Sequence, residues 1–294
     1  MKNDDLTLTR EQRAERTRAT LGRVGNIPTL PPVLLQVWDL TNQQNTSARD
    51  LARVIESDPG LTGALLRLSN SAYFGFPRKV ATVTQAVVVL GFDTVKSLAM
   101  GASVFRALPS PSAGLDPSAF FHHSLMTAMA SRVVMERRQP SEAGAAFSAG
   151  ILHDLGKLVI GEYLSKAVPG IERRVGEGLA PEDAETEELG LSHAEIGAWF
   201  ATSWNFPDEL TEAVQWHHRP ADAPRFPEIV ASVHLGDVLA HRVGATGSGR
   251  SVAPEPDPAA LAGLGLHPDD LEGICEQIAS LEIGASRARE TLGA

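Results

Sequence analysis

The chain has 294 residues, of which 43% are hydrophobic, 5% aromatic and 21% charged, and its formal net charge is -10. This composition is that of a globular protein with a buried core, and it excludes a wholly disordered chain. The acidic balance argues against nucleic acid or an anionic membrane as the main partner, because both attract concentrated positive charge.

Cysteine content and hydropathy indicate the compartment. The single cysteine, Cys275, cannot form an intramolecular disulfide. Residues 1–18, MKNDDLTLTREQRAERTR, lack the apolar core of a secretory signal. We also predict no membrane span, since none of the later stretches reads as ~18 or more consecutive apolar residues. We therefore expect a cytoplasmic protein.

The first third of the chain predicts a series of short helices. Residues 1–21 alternate arginine and glutamate, which predicts a solvated helix or a disordered lead-in, with the folded part beginning near residue 25. Apolar spacing then predicts a helix after Pro32 and another after a cap at Thr46 or Ser47.

Residues 82–91, TVTQAVVVLG, fit either a strand or a helix, and their length and the terminal Gly91 favour a helix. Residues 108–119, LPSPSAGLDPSA, have the richest proline, serine and glycine content between two helical segments, and they predict a junction.

Beyond the junction the pattern remains helical, and we find neither a fixed-period repeat nor a second strand-rich region. Residues 244–260 are typical of a flexible connection, and two closing helices are expected after it. The predicted fold class is therefore all-α. The predicted helices are 119–138, 142–165, 170–178, 192–204, 207–217 and 226–243.

Histidines are unevenly distributed. Eight of the nine lie between residues 122 and 241, whereas solvated surface histidines would scatter more evenly. Neutral imidazole is the commonest metal ligand, and carboxylates can bridge two ions. Each candidate lies on its own predicted helix or helix end, so a helical bundle can direct them all to one cavity. The candidate ligands are His123, His153, Asp154, His193, His217, His218 and Asp237.

Some of these side chains have two interpretations. Adjacent His217 and His218 can both be ligands only near a helix end, which the following Arg219-Pro220 predicts. Lys157, four residues after His153, can offer its charge to a phosphate oxygen, or it can pair with a nearby acid. The same histidines can instead be buried hydrogen-bonding groups of the bundle.

Other notable residues are expected to be structural. Asn70 and Ser71 are predicted to cap a segment while Tyr73 and Phe74 pack in the core. A core aromatic cluster is predicted for Trp199, Phe200, Trp204 and Phe206 beside Pro207. Surface positions, or positions outside the ligand shell, are expected for His122, His234, His241 and His267.

The order His123, His153-Asp154 with Gly156-Lys157, His193, His217-His218 and Asp237 resembles the HD superfamily of metal-dependent phosphohydrolases and its HD-GYP branch. The first half narrows this resemblance. Residues 27–40 (IPTLPPVLLQVWDL), 51–75 (LARVIESDPGLTGALLRLSNSAYFG) and 82–100 (TVTQAVVVLGFDTVKSLAM) are similar to the HDOD family of bacterial signalling output domains.

The resemblance implies a single HDOD fold, in which an N-terminal helical subdomain packs on an HD-like helical bundle. It covers 22–245, divided into 22–108 and 115–245, with a linker at 246–260 and C-terminal helices at 261–294. The chain departs from HD-GYP proteins in two places. RPADAPRFP follows His218 where they carry a Gly-Tyr-Pro loop, and Ala119 stands where some have a glutamate ligand.

Two interpretations of function follow. The favoured one is a signal-transduction output module, non-catalytic or weakly catalytic, that acts through signalling proteins or a nucleotide-type small molecule. The other is a metal-dependent phosphohydrolase of nucleotides or cyclic nucleotides, in which Asp154 and Lys157 take part in catalysis. Either holds one or two divalent ions, and the mixed nitrogen and oxygen ligands suit Fe, Mn, Zn or Ni. The oligomeric state is not predicted.

Overall fold

The structure is a computed structural model, and it describes residues 8–23, 32–41, 46–70, 76, 78–108, 116–246 and 253–280. Every regular element in these ranges is a helix, which confirms the all-α class. The last helix in these ranges occupies residues 270–280, and fifteen α-helices precede it. The preceding helices are α1 (Arg10–Arg23), α2 (Pro32–Thr41), α3 (Ala48–Glu56), α4 (Pro59–Ser69), α5 (Val83–Leu90), α6 (Phe92–Ala107), α7 (Pro117–Arg138), α8 (Ala143–Leu152), α9 (Leu155–Tyr163), α10 (Val168–Gly176), α11 (Pro181–Leu189), α12 (His193–Ser203), α13 (Asp208–Trp216), α14 (Pro227–Arg242) and α15 (Pro258–Leu264).

Helices α2 to α6 form the N-terminal group, whose ends follow local sequence signals. Ser47, not Thr46, caps α3, and Asp50 reciprocates by accepting a bond from the Ser47 backbone. Gly91 ends α5 with a φ of 85°, which glycine adopts without steric cost. The helical interpretation of residues 82–91 is confirmed.

Asn70 fastens the end of α4 to a later segment. Its side-chain amide donates to the carbonyl of Val80 at 2.7 Å and accepts from the Val80 N–H at 2.7 Å. Asn70 is therefore structural, as predicted, although it binds residue 80 rather than the next turn. Ser71, Tyr73 and Phe74 lie outside the described residues.

Helix α1 packs onto α11, which corrects the expectation that the fold begins near residue 25. Ala14 and Leu21 are buried, and the Thr17 hydroxyl donates to the Leu189 carbonyl at 2.8 Å. Gly190 has a φ of 79°, and a Cβ there would lie 2.2 Å from the Ala14 nitrogen. Small residues at positions 14 and 190 allow this close approach. Because small residues add no clear apolar stripe to a charged helix, the sequence did not indicate the packing.

Helices α7, α8 and α14 pack against one another in the middle of the molecule, and α12 packs against both α9 and α13. The N-terminal group joins this bundle where α6 packs on α8. Large apolar side chains fill the interior, among them the fully buried Phe120, Phe147 and Phe200. The bundle surrounds the candidate ligands, most of which are buried.

The predicted single helix over 142–165 is wrong in one respect. It is broken into α8 and α9 by His153 and Asp154. The apolar pattern runs on through the break, so periodicity did not indicate it. Helix α11 was not predicted either, because its sequence PEDAETEEL is dominated by acids.

The C-terminal segment packs on the bundle. Leu261, Leu264, Leu271 and Ile274 join Leu239 in a buried cluster. The predicted linker at 246–260 therefore needs correction, because α15 begins at residue 258. Asp257 caps this helix through its bond with the Ala259 N–H. Residues 247–252 lie outside the described residues.

One described segment, Pro140–Tyr163, is long and apolar enough to span a membrane, with a mean hydropathy of 1.2. No such segment is predicted from the sequence. However, 89% of its most apolar 18-residue stretch is buried inside the fold. This burial fits a core segment of a soluble protein.

The predicted aromatic cluster is confirmed. Trp204 lies edge-on to Phe200 with ring centroids 4.9 Å apart, and Phe206 follows at 5.8 Å from Trp204. Trp199 contacts Phe200 at 5.9 Å. These rings fill the turn between α12 and α13.

Candidate metal centre

The structure brings together all seven side chains that the sequence singled out as candidate ligands. They come from α7, the break between α8 and α9, the start of α12, the end of α13 and the middle of α14. Within each of two groups, one nitrogen or oxygen per residue lies within 4.8 Å of the others. Group A consists of His123, His153 and Asp237, and group B of Asp154, His193, His217 and His218.

Asp154 lies between the two groups, with one oxygen toward each. Its Oδ1 is 3.2 Å from Nε2 of His193 in group B. Its Oδ2 is 3.4 Å from Nε2 of His153 and 3.7 Å from Nε2 of His123 in group A. This placement is that of a carboxylate able to bridge two ions.

The helix break places His153 and Asp154 on the site. Asp154 has φ and ψ of -93° and 14°, outside the helical region, so the two side chains need not diverge as they would on a continuous helix. Gly156 follows, and a Cβ there would lie 1.8 Å from the carbonyl oxygen of His193. The glycine thus lets α9 approach α12 closely.

The adjacent histidines at the end of α13 also converge. Nε2 of His217 lies 3.4 Å and Nε2 of His218 3.0 Å from Nε2 of His193. Helix α13 ends at Trp216, and the backbone turns at Pro220. The predicted helix end therefore lets both rings face the same group.

Hydrogen bonds to Nδ1 fix the orientation of the rings. Nδ1 of His123 lies 2.7 Å from the carbonyl oxygen of Ala245. Nδ1 of His153 lies 2.8 Å from that of Gly150, and Nδ1 of His217 lies 2.8 Å from that of Val214. A carbonyl oxygen only accepts, so each Nδ1 carries the hydrogen. The lone pair of each neutral ring is then on Nε2, directed into the site.

These acceptors fit a metal ion. Nε2 of His123 faces Nε2 of His153 at 3.2 Å and Asp237 Oδ1 also at 3.2 Å. Oδ1 of Asp154 and Oδ1 of Asp237 are buried, and each faces an imidazole nitrogen at 3.2 Å, Nε2 of His193 and Nε2 of His123 respectively. Converging lone pairs need a cation among them. A proton satisfies one contact at a time, whereas one metal ion satisfies several.

The surrounding charges favour ionised ligands. Burial by itself would raise the pKa of Asp154, but its interactions with His153 and Lys157 hold this pKa well below its usual range. Burial would also raise the pKa of Asp237, and the hydrogen bond and charge of His123 hold it well below that range. Both carboxylates are therefore ready to bind a cation.

Lys157 points at Asp154. Its Nζ lies 2.9 Å from Oδ2 of Asp154, and the residue is only 9% exposed. Of the two roles considered from the sequence, the structure shows the pairing with a nearby acid. This ammonium group also contributes positive charge on the group A side of the site.

Sequence reasoning missed Glu185, on the unpredicted helix α11. Its Oε2 accepts from the backbone N–H and from Nδ1 of His193, both at 2.6 Å. Burial would lower the pKa of His193, but the Glu185 charge and the bond to Asp154 raise it to about 9. A glutamate eight residues before a histidine gives no helical-face signal, so the contact could not have been found from spacing.

The four remaining histidines divide into two pairs. His267 is exposed and His122 half-buried, as expected. His234 and His241 are buried at 6% and 5% exposure, so of the two expected positions they take the one outside the ligand shell and not the surface. His234 Nδ1 donates to the His217 carbonyl at 2.8 Å, and its Nε2 accepts from the Asp257 N–H at 2.9 Å.

His241 lies beside group A. Its Nε2 is 3.5 Å from Oδ1 of Asp237, and its ring centroid is 5.0 Å from that of His123. It follows Asp237 by four residues on α14, one helical turn, which is a spacing visible in the sequence. Both His234 and His241 therefore support the site from outside the seven candidate ligands.

The matching family is the HDOD domain, over residues 27–220. A proposed phosphohydrolase from Shewanella amazonensis SB2B is 26% identical, with a TM-score of 0.72 over 93% of this chain and 98% of its own. An HDOD domain protein of unknown function from Geobacter sulfurreducens is 21% identical, with a TM-score of 0.71 over 96% and 95%. A proposed signal transduction protein from Marinobacter aquaeolei VT8 is 24% identical, with a TM-score of 0.76 over 97% and 66%.

An uncharacterized protein of Treponema pallidum (strain Nichols) is 26% identical over 219 residues, which are 74% of this chain and 42% of that protein. The chain thus spans less than half the length of this curated relative. The two solved structures below 25% identity show the fold alone. The family match covers most of the chain and includes the region from α2 to the paired histidines after α13. The chain belongs to the HDOD domain family.

Proposed function

We propose that this chain is a signal-transduction output module of the HDOD type, whose buried centre holds divalent metal and which acts through protein or small-molecule partners. One observation carries the metal clause, namely the convergence of groups A and B on the two oxygens of Asp154. Two ions fit the two groups, and Fe, Mn, Zn and Ni all suit the donors.

Burial favours a regulatory role over turnover. His123, His153, Asp154, His193, His217 and Asp237 are exposed by 4% or less. A catalytic metal keeps an open position for substrate, whereas a structural one is closed by protein ligands. His218 is half-buried, so a small ligand has its shortest approach on the group B side.

The segment after His218 supports the same conclusion. Residues 219–226 replace the Gly-Tyr-Pro loop of the HD-GYP resemblance, and they are fastened to α13. Oε1 of Glu212, which is buried, accepts from the backbone N–H groups of Arg225 and Phe226 at 2.8 Å each. A loop held in this way is fixed rather than free to close over a substrate.

A metal-dependent phosphohydrolase is the second candidate, because the Shewanella relative at 26% identity is a proposed phosphohydrolase. Bound metal would supply positive charge that stabilises a transferring phosphoryl group. Asp154 would hold the ions together, and the Lys157 ammonium group, 2.9 Å from Oδ2 of Asp154, would add positive charge for a phosphate. The proposed substrates are nucleotides or cyclic nucleotides.

Metal analysis of the purified protein tests the first clause. We expect about one to two equivalents of transition metal, and a higher melting temperature after Mn or Fe is added to stripped protein. Less than about a tenth of an equivalent, with unchanged melting, would contradict metal binding.

A phosphodiesterase screen separates the two candidates. The output-module proposal predicts no turnover above that of His153→Ala and Asp154→Ala. Turnover that both substitutions abolish would establish the phosphohydrolase instead. Activity that survives both substitutions would not belong to this site.

A further inference from the structure

We propose that Glu185 is a positioning residue of group B, which fixes the ring of His193 and strengthens the binding of a metal ion there. The inference rests on the proposed metal-binding function. It assigns a role to a residue outside the seven candidate ligands, on a helix that the sequence did not reveal.

The contacts of Glu185 are directed at one residue. Oε2 accepts from Nδ1 of His193 and from the backbone N–H of His193, both at 2.6 Å. The first bond sets the rotation of the ring, and the second holds the backbone at the first residue of α12. Together they leave the Nε2 face of the ring turned toward Asp154 Oδ1, 3.2 Å away.

The carboxylate makes His193 different from three other ligand histidines. Nδ1 of His123, His153 and His217 bonds a neutral carbonyl oxygen. A carboxylate partner raises the basicity of an imidazole ligand more than a neutral acceptor does. His193 is therefore expected to be the strongest nitrogen donor of its group.

The two groups differ in the number of carboxylates that face a bound ion, and Glu185 reduces this difference. Group A contains Asp237 and also faces Oδ2 of Asp154, whereas group B contains Asp154 and three imidazoles. A divalent ion in group B therefore meets less negative charge directly. Glu185, 4% exposed, adds a second negative charge to group B through the ring of His193.

The surrounding fold holds Glu185 in place. Ser192 and Glu195 form a reciprocal cap that begins α12 at His193. Helix α11 ends at Leu189, and α1 packs against the following Gly190. A buried carboxylate is costly unless it is paired, and Glu185 accepts hydrogen bonds from two N–H groups of His193.

Cobalt titration of the full chain tests the proposal, with absorbance recording each binding event. Glu185→Gln keeps the shape and removes the charge. Glu187→Gln is the matched control, because Glu187 lies on the same helix, 58% exposed, and pairs with Arg174. We expect Glu185→Gln to weaken one binding event by about 10 to 100-fold relative to the control. We also expect that event to differ from the one weakened by Asp237→Asn.

Equal cobalt affinities in Glu185→Gln and Glu187→Gln would overturn the proposal while leaving metal binding intact. Wild-type protein that binds no cobalt would overturn the proposed function together with the inference. If Glu185→Gln does not fold, nitrogen-15 NMR of the cobalt-free, zinc-loaded wild type decides. The proposal requires a hydrogen on Nδ1 of His193 and none on Nε2, and the reverse assignment would contradict it.

Discussion

Nε2 of His123 lies 3.2 Å from Nε2 of His153, while Nδ1 of each ring donates to a backbone carbonyl. When both rings are neutral, their Nε2 lone pairs point at each other. A proton on one Nε2 or a metal ion held by both makes the contact favourable, and Asp237 and Asp154 supply the balancing negative charge. The interior of the bundle is thus suited to metal ions.

Removal of metal should therefore destabilise the protein. At a free metal concentration about 100 times the dissociation constant, binding to the native state adds about 2.7 kcal/mol. We expect chelator to lower the melting temperature and Mn or Zn to restore it in the wild type. His267→Ala, which changes an exposed histidine, should respond like wild type, and His153→Ala should respond less, because only group B remains complete. A response of wild-type size in His153→Ala would contradict the assignment of group A.

Substitution at Gly156 should disturb the centre without removing any ligand side chain. A Cβ at 156 would lie 1.8 Å from the His193 carbonyl, so Gly156→Ala must move α9 away from α12. We expect a loss of about 1–3 kcal/mol in the free energy of unfolding, measured in urea, and weaker metal binding. Gly263→Ala in α15 is the control, since its Cβ would meet no atom within 4 Å. Equal stability of the two variants would contradict the close approach.

Metal uptake should release a proton near neutral pH. Without metal, the pKa of His193 is raised to about 9, so the ring is protonated below that pH. Nδ1 donates to Glu185, and the other proton is on Nε2, the atom that a metal ion needs. We expect about one proton released per ion bound in group B at about pH 7.5, and less release above about pH 9. Calorimetry in buffers of different ionisation enthalpy measures this, and a buffer-independent enthalpy at about pH 7.5 would contradict it.

The packing of α1 gives a prediction about stability alone. Gly190 and Gly178 both have positive φ, 79° and 102°, so alanine is strained at each. A Cβ at 190 also meets the backbone of Ala14 at 2.2 Å, whereas at 178 it meets no atom within 4 Å. Gly190→Ala should cost about 1–3 kcal/mol more than Gly178→Ala in urea unfolding. Equal losses would mean that α1 does not pack where the structure has it.

The sequence predicted the elements whose signals are local. Ser47 caps α3, Gly91 ends α5, and Arg219-Pro220 marks the end of the paired histidines, because caps and breakers act within one helical turn. The kinds and order of the candidate ligands were also visible. That they converge is a structural finding, and that they hold metal stays a prediction.

Long-range contacts between weakly marked segments were not visible in the sequence. The acids of α11 give no sign that one of them, Glu185, turns inward to His193. Ala14 packs on Gly190 through small side chains that leave no apolar stripe. The break at His153 and Asp154 lies inside a continuous apolar run, so only tertiary contact with α12 reveals it.

Anomalous scattering from a crystal of the protein loaded with Mn or Zn tests the central claim most directly. We predict one peak among His123, His153 and Asp237 and a second among His193, His217 and His218, with Asp154 between them. Each peak should lie about 2.0–2.2 Å from its ligand nitrogens and oxygens. A difference map with no peak at either group, in protein soaked with excess metal, would contradict it.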